Sequence, residues 1–184
     1  MILKGNSLYH VFSRGNDRNK VFLTSDNYLF FIKKIRIHLN PIVDVLGYCL
    51  MPNHFHLLIY CPSEESGVMF NSKYATLLSS YTRAVNNATG RTGSIFQKRS
   101  KYIEVLDEDY AVTCFLYIHQ NPLVGSVVER LEDWLYSSFP DYAGLRQGNL
   151  CNKQRAYELL DLPSNNQEFV SLSYRTIPPE KMQY

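Results

Sequence analysis

Two apolar runs joined by a tight turn constrain the fold of this chain more than any other feature. Residues 42–50 and 54–61 each have the length and composition of a β-strand, and only Met51-Pro52-Asn53 separates them. Such a short link predicts an antiparallel hairpin, because parallel strands need a crossover of a dozen or more residues. The rest of the fold has to be built around this hairpin.

Regular elements predicted on both sides of the hairpin give a β-α-β-β-α-β order. Strands are predicted at residues 8–13 and 94–105, and helices at residues 26–39 and 68–88 carry apolar side chains at helical spacing. This order is that of the ferredoxin-like (RRM-like) fold, an antiparallel sheet with helices on one face. The chain is therefore predicted to be α+β, with the second sheet face open for a ligand.

A further helix is predicted from residue 107 to residue 120, and Asn121-Pro122 is expected to end it. Its apolar side chains fall on one broad face together with His119, which is therefore expected to be a core histidine. Tyr117 and Asn121 lie one helical turn apart on the other side and are expected to project together. The predicted fold is thus a ferredoxin-like sheet with an added C-terminal helix that carries a tyrosine.

The composition is that of an ordinary globular domain. Of 184 residues, 45% are hydrophobic and 20% are charged, and no apolar run approaches the ~20 residues of a membrane span. Four scattered cysteines and a start without a secretory pattern predict a cytoplasmic protein with no membrane partner. We expect residues 1–144 to form the main domain and residues 145–184 a C-terminal extension, polar and loosely attached from residue 163 onward.

The paired histidines of the hairpin form a candidate metal site. Side chains two apart on a strand share a face, so His54 and His56 are expected side by side while Phe55 points away. Neutral imidazole is the commonest side-chain metal ligand, although a pair of hydrogen-bonded histidines would give the same pattern. Cys49 and Cys61 bracket the pair as in a Cys2His2 zinc site, but strand alternation turns Cys61 away from both histidines, which disfavours zinc.

The positive charge of the chain is concentrated in its middle. The net charge is only +2, yet residues 66–103 carry six cations and no acidic residue, with tyrosines and phenylalanines between them. Such a segment suits a phosphate backbone and unstacked bases, although a solvated basic surface has the same composition. The loop after the first strand adds further cations. The candidate DNA-contacting residues are Arg14, Asn16, Arg18, Lys98, Arg99 and Lys101.

Tyr117 adds a candidate nucleophile to this pattern. A tyrosine hydroxyl can attack a phosphodiester, and a metal ion opposite it would polarise the phosphoryl oxygen. His54 and His56 would give that ion two nitrogens, and Asn121 would give it an amide oxygen. This donor set is compatible with Mg²⁺ or Mn²⁺ without selecting between them. An ordinary packing role remains the alternative for Tyr117, which is one of 14 tyrosines.

Three motifs together resemble those of a known family. They are Tyr9-His10-Val11-Phe12-Ser13-Arg14-Gly15-Asn16, Met51-Pro52-Asn53-His54-Phe55-His56-Leu57-Leu58 and Tyr117-Ile118-His119-Gln120-Asn121-Pro122. In this combination the chain resembles the IS200-like transposases, single-tyrosine members of the His-hydrophobic-His (HUH) endonucleases. Residues 134–138, Trp-Leu-Tyr-Ser-Ser, resemble the branch called REP-associated tyrosine transposases. The similarity extends from residue 5 to residue 144, and Met-Pro-Asn-His-x-His is its most specific part.

The resemblance implies a transposase that cleaves and rejoins single-stranded DNA near hairpins. Tyr117, which matches the nucleophile, would form a 5′-phosphotyrosine intermediate and release a free 3′-hydroxyl. His54 and His56 match the metal ligands, and the third ligand lies one turn beyond the nucleophile, where both Asn121 and Gln120 stand. Insertion-sequence members are homodimers that exchange the tyrosine helix, whereas the REP-associated branch can act as a monomer, so both states stay open.

Two other functions fit parts of the same pattern. A non-catalytic RRM-like protein would bind single-stranded nucleic acid through an open sheet face and the basic strand, without any need for Tyr117. A structural or regulatory metal protein would bind zinc tightly and would have no affinity for DNA. A covalent adduct between protein and DNA would distinguish the transposase from both.

Overall fold

The computed structural model describes residues 2–178, apart from the side chain of Glu108. Its strands and helices follow the predicted order. They are β1 (Ser7–Arg14), α1 (Ser25–His38), β2 (Asp44–Met51), β3 (His54–Cys61), α2 (Glu64–Thr89), β4 (Lys101–Val105), α3 (Glu108–Val124), α4 (Phe139–Tyr142), α5 (Lys153–Leu159) and α6 (Asn166–Ser173). Short 3-10 helices lie at Asn16–Arg18 and Leu131–Asp133.

The four strands form one antiparallel sheet in the order β2-β3-β1-β4. β1 pairs with β3 on one side and with β4 on the other, and β2 pairs with β3 in the predicted hairpin. Both crossover helices, α1 and α2, pack on the same face of the sheet. This arrangement is the ferredoxin-like fold that the element order predicted.

The face under α1 and α2 is an apolar core rich in aromatic rings. Phe55 of β3, Phe31 of α1 and Tyr81 of α2 are fully buried there, and the ring of Phe31 contacts both of the others. α2 begins where Ser63 Oγ accepts a hydrogen bond from a backbone N–H, and it ends at Gly90, whose φ of 67° suits glycine. Removal of this apolar face from water stabilises the sheet.

β4 is shorter than the sequence predicted, because the basic segment before it leaves the sheet. The predicted strand began at Ser94, whereas the ladder with β1 begins at Lys101. Between these points Phe96 keeps an isolated bridge to the loop after β1. Lys98 and Arg99 lie in the irregular stretch that follows, so their side chains are free of strand alternation and line two different cavities.

The other face of the sheet is covered by α3, so the expectation of an open ligand face is wrong. α3 packs mainly on β2 and β3, and its Phe115 and Ile118 are fully buried. His119 is buried as predicted, and its Nε2 lies 2.6 Å from Ser138 Oγ. The covering helix therefore turns this face into a second core, open only at one pocket.

α3 also continues through the proline that was expected to end it. It runs to Val124 although it contains Pro122, which has no N–H to donate to the carbonyl of Ile118. The side chain of Asn121 compensates, because its Nδ2 donates to the carbonyl oxygens of Tyr117 at 2.9 Å and of Ile118 at 3.5 Å. These bonds carry the helix past Pro122 and hold the Asn121 side chain in one orientation.

Residues 134–138 run beside β2 and cover its free edge. The N–H of Leu50 donates to Tyr136 O, and the N–H of Ser138 donates to Tyr48 O, both at 2.9 Å. The Trp-Leu-Tyr-Ser-Ser motif thus shields a strand edge that would otherwise be open to pairing with another chain. It also supplies the hydroxyl that contacts His119.

The expectation of a loosely attached tail is wrong for the part that the structure describes. Phe169 of α6 is fully buried in the core beneath α3. Gln120 Nε2 of α3 donates to Ser173 O and Arg175 O, both at 2.8 Å. Residues 179–184, the end of the predicted tail, lie outside the described residues. Across residues 2–178 no helix combines the length and apolar character needed to cross a membrane.

Candidate functional site

β3 turns its two histidines toward α3. His54 lies opposite Arg14 of β1 and His56 lies opposite Phe12, so these four side chains share the face that α3 covers. Phe55 belongs to the core on the other face, as strand alternation predicted. His56 is buried, with 5% of its surface exposed, and His54 is half-buried.

Each of these histidines is oriented by a contact at Nδ1. His54 Nδ1 lies 2.6 Å from Asn53 Oδ1, and His56 Nδ1 lies 2.8 Å from Nε2 of His10, a fully buried residue of β1. His54 Nε2 lies 3.5 Å from Asn121 Oδ1 of α3. Contacts of this kind fix the ring and direct the other nitrogen toward a ligand.

Burial keeps both histidines neutral at physiological pH. It lowers the pKa of His54, and it lowers the pKa of His56 well below 6.5, with the charge of Arg14 acting in the same direction on both. Burial also lowers the pKa of His10 to about 3. A neutral imidazole keeps the nitrogen lone pair that binds a metal ion, so the charge state of this site suits metal binding.

Tyr117 projects from α3 over these histidines. Its ring centre lies 5.7 Å from that of His56 and 6.4 Å from that of His10, and it stands nearly perpendicular to both rings. Burial raises the pKa of Tyr117 above its ordinary value, while a hydrogen bond with Asn121 and the charge of Arg14 oppose that shift. The phenol is therefore protonated at neutral pH and must lose its proton if it acts as a nucleophile.

Asn121 and Gln120 are neighbours on α3 but have different surroundings. The amide nitrogen of Asn121 is held by carbonyls of its own helix, and its Oδ1 faces His54 Nε2. Gln120 points away and ties α3 to Ser173 and Arg175. Asn121 lines the same pocket as His54, whereas Gln120 does not. This geometry favours Asn121, the predicted residue, as an oxygen donor at the site.

The pocket at the end of the sheet has a volume of about 450 Å³. Its wall carries Arg14, Arg99 and Lys101, which are three exposed cations among the predicted DNA-contacting residues. A phosphate that enters the pocket would meet positive charge, a tyrosine and two imidazoles together. Every residue predicted as catalytic or metal-binding lines it: Tyr117, His54, His56 and Asn121.

The other predicted DNA-contacting residues lie outside this pocket. Asn16 and Lys98 line a larger groove of about 980 Å³ between α2 and the segment before β4. Asn16 also holds that segment in place, because its Nδ2 donates to Ser94 O at 2.8 Å. Arg18 is exposed in the loop after β1, with a φ of 60°, and lines neither cavity. The predicted DNA-contacting residues thus lie on separate surfaces of the molecule.

The donor set of the pocket is compatible with the predicted Mg²⁺ or Mn²⁺ but does not select them, because imidazole also suits zinc. Two neutral imidazoles and an amide oxygen are acceptable to both ions. Cys61 lies in the core on the opposite face, and burial raises the pKa of Cys49 and keeps its thiol protonated. Among the described residues, no three His, Cys, Asp or Glu side chains come together in a way that could hold a metal. Asn121 is therefore needed to complete a three-ligand set.

Two residues that contact the site had no role in the sequence prediction. His10 and Asn53 both fall inside the motifs quoted above, yet the pattern alone assigns them nothing. Asn53 could have been suspected because it directly precedes His54. His10 reaches His56 only through the register between β1 and β3, which the sequence does not reveal.

Comparison with known proteins finds similarities in both sequence and structure, although no family model matches the chain. A Haemophilus influenzae protein, named as a candidate REP-associated tyrosine transposase, is 28% identical over 105 residues, or 52% of this chain. The chain spans 58% of the length of that relative. A solved structure of a REP-associated tyrosine transposase bound to a REP hairpin aligns with a TM-score of 0.61, at 18% identity. That alignment covers 82% of this chain and 87% of the other.

The sequence and structural similarities support different parts of the prediction. The structural alignment confirms the α+β fold, since a likeness at 18% identity is informative about fold. The sequence similarity is to a protein named for the same branch that the motifs indicate. The predicted resemblance of this chain to the IS200-like tyrosine transposases, and to their REP-associated branch, is thereby confirmed.

Proposed function

We propose that this protein is a transposase that cleaves and rejoins single-stranded DNA through a covalent tyrosine intermediate. The observation that carries the proposal is the convergence of Tyr117, His54, His56 and Asn121 on one pocket that also holds three cations. The similarity to a protein named as a candidate REP-associated tyrosine transposase supports the same activity.

In the proposed reaction, the phenol oxygen of Tyr117 attacks a phosphorus atom of the DNA backbone. A bond forms between that oxygen and the 5′-phosphate, the bond from phosphorus to the 3′-oxygen breaks, and the proton lost by the phenol ends on the leaving 3′-oxygen. Rejoining is the reverse, because a 3′-hydroxyl attacks the phosphotyrosine and restores both the phosphodiester and the phenol. Each step exchanges one phosphoester for another, so no external energy is required.

The metal ion of the proposed site would be held by His54, His56 and Asn121. When bound, Mg²⁺ or Mn²⁺ would polarise a phosphoryl oxygen and orient the phosphate. Arg14 favours the deprotonated phenol, since its charge lowers the pKa of Tyr117 against the effect of burial. Arg99 and Lys101 line the same pocket and would neutralise phosphates of the bound strand. These residues belong to the same chain, so the reaction needs no exchange of helices between subunits, which favours a monomer over a homodimer.

The proposed substrate is single-stranded DNA that carries hairpins. The related transposase of known structure is bound to a REP hairpin, and we extend that partner to this chain. With DNA as the substrate, the cytoplasmic location and the absence of a membrane partner expected from the sequence remain part of the proposal.

The non-catalytic alternatives have less support. RRM-like proteins stack bases on aromatic side chains of an exposed sheet face, but α3 covers that face here. A structural zinc protein would need a fuller set of thiolates and imidazoles than the described residues bring together.

Incubation with labelled single-stranded hairpin DNA and Mn²⁺ tests the proposal. The wild-type protein should give an adduct that survives denaturing electrophoresis. Tyr117→Phe keeps the ring and removes the hydroxyl, so it should bind DNA but give no adduct. Tyr110→Phe is a matched control, because Tyr110 lies on the same helix but does not line the pocket. A wild-type protein that binds this DNA without forming an adduct would instead support the RRM-like alternative.

A further inference from the structure

The larger groove between α2 and residues 91–98 has an uncompensated positive charge. Arg83, Arg91 and Lys98 line it, and all three are exposed. None of them forms an ion pair with any residue that the structure describes. No aspartate or glutamate within residues 2–178 lines the groove. Such a concave surface of one sign attracts a polyanion.

Between its cations the groove offers both apolar and amide surface. Leu78 and Phe96 form part of its wall, as do the amide side chains of Asn87 and Gln97. An unpaired base exposes a flat apolar face and its Watson–Crick edge, whereas a duplex stacks the faces and pairs those edges. The lining of the groove therefore suits a single strand better than a duplex.

Gln97 connects this groove to the pocket that contains Tyr117. Gln97 lines both cavities, and its backbone N–H donates to Arg14 O at 2.8 Å. The two adjacent cations diverge, since Lys98 lines the groove and Arg99 lines the pocket. A strand that passes Gln97 would therefore run from one cavity into the other with positive charge on both sides.

We propose that the groove binds the single-stranded DNA segment next to the phosphate that Tyr117 attacks. This inference rests on the proposed function and deepens it. Arg83, Arg91 and Lys98 would contact phosphates, and the amides of the wall would contact base edges. Arg83 and Arg91 were counted in the basic segment of the sequence but were not among the predicted DNA-contacting residues.

A double variant, Arg83→Gln with Arg91→Gln, tests the groove against a control of equal charge, Lys33→Gln with Lys73→Gln. Lys73 is exposed on α2 itself and Lys33 is exposed on α1, and neither lines the groove. Fluorescence anisotropy with a short labelled single strand should be measured over a range of salt concentrations. The slope of log affinity against log salt should flatten by roughly 1.4 in the groove variant, or 0.7 per lost contact, and much less in the control.

Three results would overturn this inference. They are an unchanged slope in the groove variant, an equal change in the control, or an equal loss of affinity for a blunt duplex and for the single strand. Failure of the proposed function itself would look different, because the wild-type protein would then form no covalent adduct. The control variant changes residues that line neither cavity, so it should form the adduct as the wild-type protein does.

A second inference comes from an independent contact, the one between His10 and His56. The two nitrogens lie 2.8 Å apart, the ring centres lie 5.0 Å apart, and the ring planes differ by 23°. These values fit two neutral rings that share one hydrogen bond close to their common plane. One proton lies between the two nitrogens, and the ring that carries it decides what His56 can bind.

If His56 carries that proton on Nδ1, its Nε2 keeps a lone pair for a metal ion. The reverse arrangement puts the proton of neutral His56 on Nε2 and blocks coordination there. We infer that His10 is a positioning residue that accepts a hydrogen bond from His56 Nδ1 through its Nε2. It would thereby fix His56 in the tautomer that binds the proposed metal ion.

His10→Gln and His10→Leu separate this role from packing. Glutamine can place an acceptor near the position of Nε2, whereas leucine fills space without one. The electron paramagnetic resonance signal of free Mn²⁺ measures metal binding without reference to DNA cleavage. The leucine variant should bind Mn²⁺ about 10–100-fold more weakly, and the glutamine variant should stay close to the wild type.

Nuclear magnetic resonance of the wild-type protein keeps the test decisive even if the leucine variant does not fold. Long-range nitrogen–proton correlations with Mg²⁺ bound should find the proton of both His10 and His56 on Nδ1. A proton on Nε2 of His56 would overturn the inference, as would a folded leucine variant with wild-type Mn²⁺ affinity. A wild-type protein that binds no Mn²⁺ would overturn both this inference and the proposed metal site.

Discussion

The two faces of β3 use neighbouring residues for different purposes. Phe55, Leu57 and Ile59 are fully buried against α1 and α2, in a core of hydrocarbon and aromatic rings. His54 and His56 alternate with them in sequence but face α3, where specific polar contacts surround them. A buried polar group without a partner costs about 1–3 kcal/mol, so the second face needs a defined partner for each such group. The alternation of side chains along β3 thus places residues that stabilise the fold on one face and the candidate catalytic residues on the other.

Substitution of neighbouring residues on opposite faces of β3 should give the largest effects on stability and on adduct formation. It is therefore the strongest test of the difference between the two faces. Phe55→Ala should lower the free energy of unfolding by about 3–5 kcal/mol, because it leaves a cavity in the apolar core. His56→Asn should lower it by about 1–3 kcal/mol, because it disrupts the buried hydrogen bond with His10. The same His56 variant should reduce adduct formation by more than about 100-fold, since it removes a proposed metal ligand. Urea unfolding and adduct assays measure both effects.

Two outcomes would contradict this difference between the faces of β3. If Phe55→Ala unfolds no more easily than His56→Asn, the two faces do not differ in what they contribute to stability. If His56→Asn forms the adduct at the wild-type rate, the second face does not carry the chemistry. Each result would count against one half of the division.

The alternation of side chains along β3 is also the feature of the site that could be predicted from the sequence. Period-two patterning placed His54 and His56 on one face and Phe55 on the other, and the element order with the apolar stripes of α1 and α2 predicted two helices packed on one face of the sheet. These features depend on residues close together in the chain. They were therefore accessible without any knowledge of the tertiary structure.

An ion pair between the half-buried Arg146 and the buried Asp141 gives a second test of polar contacts near the second face. Arg146 donates to both carboxylate oxygens of Asp141, at 2.7 and 2.8 Å, and to the carbonyls of Leu135 and Ser137, both at 2.7 Å. Arg146→Met should lower the free energy of unfolding by about 3 kcal/mol, because the carboxylate of Asp141 stays buried without its partner. Urea unfolding measures the change.

The control for this ion pair is Arg155→Met. Arg155 is half-buried and pairs with Glu158 at 2.9 Å and with Asp44 at 3.5 Å, but both of these carboxylates reach solvent, so its loss should change the free energy of unfolding by about 1 kcal/mol or less. Equal effects of the two arginine substitutions would show that the second face does not depend on its polar contacts.

Gln120 and Asn121 are adjacent on α3, but their substitution should have different effects. One should lower the free energy of unfolding, and the other should weaken metal binding. Gln120→Ala removes two hydrogen bonds to α6 and the residues after it, and should cost about 1–3 kcal/mol without changing the metal requirement. Asn121→Ala should raise the Mn²⁺ concentration for half-maximal adduct formation by about tenfold. Metal titrations and urea unfolding of both variants test this. A shifted metal midpoint for Gln120→Ala, with none for Asn121→Ala, would reverse the assignment.

The features that the sequence missed depend on contacts between distant parts of the chain. Pro122 was expected to end α3, but the Asn121 side chain donates to the carbonyl oxygen of Ile118, which the proline leaves without its helical N–H donor, and to that of Tyr117. The C-terminal tail appeared polar, yet Phe169 and the contacts of Gln120 fasten it to α3. His10 meets His56 only because β1 and β3 adopt one register. Local pattern contains no information about any of these partners.

The smallest predicted effects concern the two adjacent cations that line different cavities. Lys98→Ala and Arg99→Ala should each flatten the salt dependence of single-strand binding by roughly 0.7, because each loses one phosphate contact. Arg99→Ala alone should also slow adduct formation at saturating DNA, since Arg99 lines the pocket of Tyr117. Anisotropy titrations and single-turnover kinetics measure these effects. Unchanged slopes in both variants would mean that this segment is merely solvated.

The position at which DNA becomes attached is the most direct measure of whether the second face is a catalytic centre. The adduct formed with single-stranded hairpin DNA can be digested with nuclease and protease and its peptides identified by mass spectrometry. A nucleotide remnant linked through phosphate to the phenol oxygen of Tyr117 is the predicted result. Attachment at Tyr110 or at any other residue would contradict the proposed chemistry of the pocket formed by β1, β3 and α3.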